Sequence, residues 1–110
     1  MRFLKSTLIL LILVIGNAQA QTHTGPVPVV RIRTGWSADL FTVDTGQAHI
    51  NPANCPSADG YYASSADPGY KTFYAAALLA FSMGKSVSLY ISNFQCTEQR
   101  PRIIGLIIEK

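Results

Sequence analysis

The chain has 110 residues, of which 48% are hydrophobic and only 14% charged, and its formal net charge is +3. This length holds one small domain, which excludes a dinucleotide-binding enzyme, an α/β-barrel enzyme and any multidomain assembly. The high apolar content is typical of a compact fold and not of a disordered chain.

The first 20 residues have the three-part pattern of a secretory signal peptide. Arg2 and Lys5 precede the unbroken aliphatic run Leu8–Ile15, and the segment ends in Ala18-Gln19-Ala20. We expect cleavage after Ala20, export to the periplasm or the medium, and a single domain over residues 21–110. The aliphatic run is well short of the roughly 20 residues that cross a bilayer as a helix, so the mature form is expected to have no membrane span.

Without this leader the charges nearly cancel, because seven basic side chains then face six acidic ones. A nucleic-acid-binding protein needs a stripe of cations that displaces many counterions, and the mature chain has none. We therefore expect no nucleic-acid partner.

Cys55 and Cys96 are the two cysteines of the chain. An even number of cysteines in a small exported protein predicts a disulfide, and closing a loop of about 40 residues stabilises the fold by about 4 kcal/mol. His23 and His49 stand alone in the sequence, so we expect no metal site and no cofactor.

Three strands are predicted before the helix. Residues 21–26 are polar and expected to be flexible, and the alternation over residues 27–33 places Val30 and Ile32 on the buried face of the first strand. The second strand covers residues 39–44, with Leu40 and Val43 in the core. The third covers residues 60–64.

One helix is predicted from Pro68, with Asp67 as its N-cap, to Met83, with Gly84 ending it. An aromatic and aliphatic stripe is expected to face the sheet: Tyr70, Phe73, Tyr74, Ala77, Leu78 and Phe81. The other side is also small or apolar, which predicts that a second subunit covers a helix face made of Ala75, Ala76, Leu79 and Ala80.

Two strands follow the helix. Residues 86–92 alternate strictly, with Val87, Leu89 and Ile91 inward, and residues 93–100 are expected to form a polar loop. Residues 102–108 form a final strand predicted to be buried on both sides, where Gly105 permits a bend or a close contact. This order, β-β-β-α-β-β, predicts a mainly β protein with an OB-fold-like five-stranded barrel, and the alternative is an α+β sheet with one packed helix.

A resemblance supports the first fold. The run from Tyr70 to Ile91, followed by a cysteine and by Arg102 to Leu106, resembles the second half of the B subunits of subtilase-type and pertussis-like AB5 toxins. The resemblance implies an OB-fold, assembly through helices and edge strands, and binding of cell-surface glycans, often sialylated.

Aromatic and hydroxyl side chains are the candidates for sugar binding, because a sugar ring offers an apolar face and hydroxyl groups. The candidates are Trp36, Tyr61, Tyr62, Tyr90, Ser86 and Ser88. Two arginine pairs, Arg31 with Arg33 and Arg100 with Arg102, could bind a carboxylate, or could simply be solvent-facing strand residues.

No catalytic motif is present, so we expect a protein that is not an enzyme. The first hypothesis is an exported, oligomeric, non-catalytic binding module that recognises a cell-surface glycan or a protein. The alternative is a stand-alone periplasmic or secreted structural or inhibitory protein.

Overall fold

The computed structural model describes residues 20–35 and 37–110, so the predicted leader before Ala20 lies outside the described residues. The described part is mainly β with one helix, as the sequence predicts. Its elements are β1 (Gln21–Pro28), β2 (Arg31–Thr34), β3 (Leu40–Asp44), β4 (Tyr61–Ser64), α1 (Tyr70–Met83), β5 (Ser86–Thr97) and β6 (Arg100–Glu109). The described ranges thus contain six strands, and the predicted number of five is wrong.

The strands form one open sheet in the order β1-β5-β6-β4-β3-β2. Neighbours are antiparallel, except that β4 and β6 are parallel and meet where Tyr62 pairs with Arg102. β1 and β2 are consecutive in the chain yet lie at opposite ends of this order. The N-terminal segment therefore pairs with both ends of the remaining sheet.

The extra strand arises because the predicted first strand breaks at Val29 and Val30. Val29 is buried, whereas Val30 is 52% exposed, so the alternation shifts by one residue and the prediction that Val30 faces the core is wrong. The main-chain N–H of Val30 donates to the carbonyl of Asp44 at 2.9 Å. Ile32 packs against the core as predicted.

The polar residues before this break are not a flexible tail but part of β1, which pairs with β5. Main-chain hydrogen bonds hold β1, so it needs few apolar side chains. The register shifts between His23 and Pro26, where Gly25 has a φ of 69° and the hydroxyl of Thr24 accepts the N–H of Leu89 at 3.1 Å. This is a β-bulge in which a side chain replaces a ladder acceptor.

β3 and β4 supply the centre of the core. All five residues of β3 are buried, including the predicted Leu40 and Val43, and Phe41 and Val43 pack with Tyr61 and Ala63 of β4. Phe41 contacts the ring of Tyr74, with ring centroids 5.1 Å apart, which joins the sheet to the helix.

The helix ends at Met83 as predicted, but it begins at Tyr70 and not at Pro68. Gly69, with a φ of 85°, occupies the N-cap position; a Cβ there would lie 2.4 Å from the ring of Phe73. Asp67 does not cap the helix, because its carboxylate binds groups on β4 and β5. The hydroxyl of Tyr70 donates to Asp39 at 2.6 Å, and this bond raises the pKa of Tyr70 to about 12.

The helix face that packs on the sheet is rotated relative to the predicted stripe. Ala77 and Ala80 are fully buried, and Tyr70, Phe73 and Tyr74 pack against the core with them. Leu78 and Phe81 are exposed, so their assignment to the core is wrong. The small alanines allow the close approach of helix and sheet, which turns the bulkier residues outward.

β5 and β6 are longer than predicted. β5 continues through most of the predicted loop to Thr97, and the predicted inward set of Val87, Leu89 and Ile91 is confirmed. β6 is not buried on both sides, because Ile107 and Ile108 near its end are exposed. Gly105 makes the expected close contact: a Cβ there would lie 3.2 Å from the Cβ of Tyr90.

The predicted disulfide between Cys55 and Cys96 is present, with the two Cα atoms 5.9 Å apart. It ties the loop before β4 to the distal part of β5. The main-chain N–H of Ser57 donates to the carbonyl of Gln99 at 3.0 Å and joins the same two regions. Asn51 closes the loop by bonding both the N–H and the carbonyl of Cys55.

A carboxylate network links the ends of β4, β5 and β6. Asp67 accepts hydrogen bonds from the N–H of Ser64 at 2.9 Å and from the hydroxyl of Thr97 at 2.7 Å. The Nε of Arg102 lies 3.6 Å from its other oxygen, and both side chains of this pair are largely buried. Three elements therefore depend on one buried charge.

Removing the Asp67 carboxylate should be costly, because it leaves the N–H of Ser64 and the hydroxyl of Thr97 without their acceptor and takes the negative charge away from the largely buried Arg102. We expect Asp67→Ala to lower the free energy of unfolding by about 3 kcal/mol, measured by urea denaturation with the disulfide intact. Asp59→Ala, which breaks the exposed pair between Asp59 and Arg100, is the control and should cost less than about 1 kcal/mol. Equal losses in the two variants would contradict a central role for Asp67.

Across the described ranges, no helix combines the length and the hydropathy needed to cross a membrane.

Candidate ligand-binding cleft

Arg31 and Arg33 lie beside an anion of their own chain. The buried carboxylate of Asp44 accepts a hydrogen bond from the Nε of Arg31 at 2.5 Å, and it lies 3.3 Å from the Nε of Arg33. A buried carboxylate needs such compensation. The arginine pair that the sequence offers for a ligand carboxylate thus neutralises Asp44 first, although the side chain of Arg31 stays 65% exposed.

Tyr61 is a core residue and not a ligand platform. It is 1% exposed, its hydroxyl accepts the N–H of Ile50 at 2.8 Å, and the His49 ring contacts it edge-on at 4.9 Å between centroids. Burial raises the pKa of Tyr61. Its hydroxyl closes the loop that follows β3, which is a structural role.

Tyr62 lies under two guanidinium groups. The central carbon of Arg100 is 4.9 Å from its ring centroid, and that of Arg33 is 6.0 Å away. Cations over an aromatic face are attracted by its negative quadrupole. Tyr62 is 7% exposed, so it supports the arginines from below more than it offers its own surface.

Tyr62 and the two arginines above it line a cleft of ≈ 390 Å³. Its walls come from β2, β3, β4 and β6 and from the loops beside them: Arg33, Ala38, Leu40, Asp59, Tyr62, Glu98 and Arg100. The cleft therefore combines two cations, two carboxylates, a phenol and a small apolar surface.

Asp59 and Arg100 organise the charge of this cleft. The Nε of Arg100 donates to Asp59 at 3.0 Å, and its Nη1 donates to the carbonyl of Glu98 at 2.9 Å. The hydrogen bond from Arg100 lowers the pKa of Asp59, and the same bond raises the pKa of Arg100. Arg33 reaches the cleft from the other side and donates to the carbonyl of Asp59 at 2.9 Å.

Tyr90, Ser86 and Ser88 lie elsewhere, on the β1-β5-β6 part of the sheet. Tyr90 contacts the ring of His23 at 5.6 Å and borders a separate cavity of ≈ 410 Å³ with Ala20 and Gln21. Ser88 is buried, and Ser86 is partly covered and pairs with Pro28 and Glu109. The sequence candidates for sugar binding thus divide between two surfaces, and Trp36 lies outside the described residues.

The predicted helix face is only partly a surface. Leu79 is 52% exposed and Ala75 is exposed, whereas Ala76 is half-buried and Ala80 is fully buried against the sheet. Ala80 therefore does not belong to the outward face. Leu78, Phe81 and Met83 extend the exposed apolar area instead.

Asp59 and Glu98 are the two charged cleft residues that the sequence does not reveal. Asp59 lies 41 positions from Arg100 in a loop without a recognisable motif. The nearby cysteines offered an indirect signal, because a bridge between Cys55 and Cys96 brings the regions around Asp59 and Glu98 together. Over residues 20–35 and 37–110 no group of three or more histidine, cysteine or acidic side chains could hold a metal ion.

Comparison of the chain with models of protein families, with curated proteins and with solved structures gives no significant match.

The pKa of Asp59 tests the electrostatics of the cleft. Folding lowers the pKa of Asp59. The charge of Asp59 therefore stabilises the folded state at pH values above the pKa that Asp59 has in the unfolded chain, and this stabilisation is lost as the pH falls through its pKa in the folded protein. We expect Arg100→Gln to raise the pKa of Asp59 toward its ordinary value, measured by carboxyl-carbon NMR titration. Lys71→Gln, the same change of charge on the exposed side of the helix, should leave it unaltered; a similar shift in both variants would contradict the direct bond.

Proposed function

We propose that the chain is an exported, non-catalytic binding module that recognises a carbohydrate in the cleft between Arg33, Tyr62 and Arg100. The observation that carries this proposal is the mixed lining of the cleft, in which two guanidinium groups and two carboxylates surround ≈ 390 Å³. Each sugar hydroxyl both donates and accepts a hydrogen bond, so it requires this mixture.

The apolar part of the lining supports the same ligand class. Ala38 and Leu40 line the cleft, and the planar guanidinium of Arg100 lies over the Tyr62 ring. A guanidinium plane held in this way offers a flat surface on which the less polar face of a pyranose ring can pack. The ligand would then contact the outer side of Arg100, and Tyr62 would fix the orientation of that arginine.

The sheet order supports the OB-like barrel that forms the second part of the proposal. If β1 and β2 are the two halves of one bent first strand, the remaining strands follow the OB order, with the helix between the third and fourth strands. OB-folds bind oligosaccharides and oligonucleotides on the face of strands two and three and on the loops after strands one and four. The corresponding loops here supply Ala38 and Glu98, which line the cleft.

The charge of the cleft favours a sugar over a polynucleotide. Asp59 and Glu98 balance Arg33 and Arg100, whereas a phosphate backbone needs an excess of cations. The resemblance to AB5 toxin B subunits points to the same ligand class, cell-surface glycans that are often sialylated. In that case the carboxylate of the sugar would compete with Asp59 for Arg100.

Substitution of Arg100 tests the proposed ligand site. We expect the mature protein to bind one or more glycans on an array of neutral and sialylated oligosaccharides, and Arg100→Gln to weaken the best of them about tenfold or more, because a charge-assisted hydrogen bond contributes about 1.5–3 kcal/mol. The affinity would be measured by calorimetry.

Lys71→Gln serves as the control with equal charge and should bind as the wild type does. A wild-type protein that binds no glycan, or an Arg100→Gln variant with unchanged affinity, would contradict the carbohydrate proposal. Preferential binding of single-stranded oligonucleotides would do so too. A monomer without any glycan ligand would instead favour the stand-alone structural or inhibitory protein.

We further propose that the module is a homo-oligomer whose contact includes the outward face of α1. Leu79 and Met83 are 52% and 58% exposed, and Ala75 beside them is small. Lys71 is the one charged residue within this helix, so two copies can meet along it with little like-charge repulsion. A second copy of the chain is therefore the occupant that fits.

Leu79→Glu tests this contact. We expect light scattering to find the wild-type mature protein as an oligomer and the variant as a monomer, because the glutamate would be buried without a partner at the contact. Phe94→Glu, a similar change at the most exposed large apolar residue of β5, is the control and should stay oligomeric. A monomeric wild type, or loss of assembly in both variants, would contradict the proposed helix contact.

A further inference from the structure

Gln21 lies at the start of an edge strand, in register with Ser92 of β5. The residue before it makes the first bond of this ladder, because the N–H of Asn93 donates to the carbonyl of Ala20 at 3.0 Å. In an antiparallel pair, hydrogen-bonded residues alternate with residues whose N–H and carbonyl point the other way. The main-chain nitrogen of Gln21 therefore points away from β5.

This orientation leaves the nitrogen of Gln21 without a function in the β1 ladder, whose next bonded position is Thr22. The hydroxyl of Thr22 donates to the side-chain oxygen of Asn93 at 2.7 Å, which further fixes the strand just after Gln21. A chemical change at the nitrogen of Gln21 thus costs no bond between the strands. Gln21 is also exposed, so its side chain has room to move.

We propose that Gln21 of the exported chain is converted to pyroglutamate. This inference rests on the export step of the proposed function, since cleavage after Ala20 makes Gln21 the first residue and frees its α-amine. The amine nitrogen attacks the side-chain amide carbon, a new C–N bond closes a five-membered lactam, and the original amide C–N bond breaks. The amide nitrogen leaves as ammonia with a proton from the amine, so the step needs no other reactant.

The lactam changes the end of β1 in a defined way. Cleavage removes the bond between Ala20 and Asn93 and would leave an ammonium at an edge strand, close to the cavity that Gln21 lines with His23 and Tyr90. Cyclisation removes this positive charge and leaves a single N–H on the nitrogen. The resulting terminus is neutral and has no free amine for an aminopeptidase to recognise.

Intact mass and Edman sequencing of the chain purified after export test the inference. We expect most of the protein to have the mass of residues 21–110 less one ammonia, to resist Edman degradation, and to become sequenceable from Thr22 after treatment with pyroglutamyl aminopeptidase. Gln21→Ala is the matched control, because it has the same free amine but no side-chain amide. It should be sequenceable from Ala at position 21 and should carry one more positive charge on isoelectric focusing near pH 6.

The outcomes separate the two proposals. A chain that begins at Gln21 with a free amine overturns the modification while leaving the export step intact. A chain that retains the leader, or that begins at another residue, overturns both the cleavage after Ala20 and the modification. Loss of ammonia that persists in Gln21→Ala would place the change at another residue and would also overturn the inference.

Discussion

The fold depends on the main-chain pairing of its first described segment with both ends of the rest of the sheet. β1 bonds to β5 and β2 bonds to β3, with only Val29 and Val30 between the two strands. The change of direction at these residues lets one short segment cover two strand edges that would otherwise expose their polar groups. The same change keeps Val27 and Val29 in the core while Val30 faces outward.

Two buried carboxylates fix the strands that this segment joins. Asp44 holds Arg31 and Arg33 of β2, and Asp67 holds the ends of β4 and β5 near Arg102. Asp44 is buried and Asp67 is largely buried, so the arginines beside them first serve to balance the charge of these carboxylates. Arg100 differs from them because its partner, Asp59, is half exposed.

Side-chain patterns predicted the elements that depend on side chains. The alternation in β5, the end of the helix at Gly84 and the disulfide could all be read from the sequence, because burial, backbone strain and cysteine pairing each leave a local signal. The part of β1 before Val27 could not be predicted, because main-chain bonds to β5 hold it and it has few apolar side chains to leave a pattern. Arg33, Tyr62 and Arg100 were candidates from the sequence, but their assembly into one cleft with Asp59 could not be predicted, because these residues meet only through tertiary packing.

The position of the disulfide has a consequence for when the cleft exists. Cys55 and Cys96 lie a few residues from Asp59 and Glu98, so one covalent bond holds together the two segments that provide the acidic walls. In a newly made chain with both thiols reduced, those segments would be held near each other by non-covalent contacts such as the hydrogen bonds from Ser57 to Gln99 and from Arg100 to Asp59. The acidic side of the cleft would therefore become fixed only when the two thiols are oxidised.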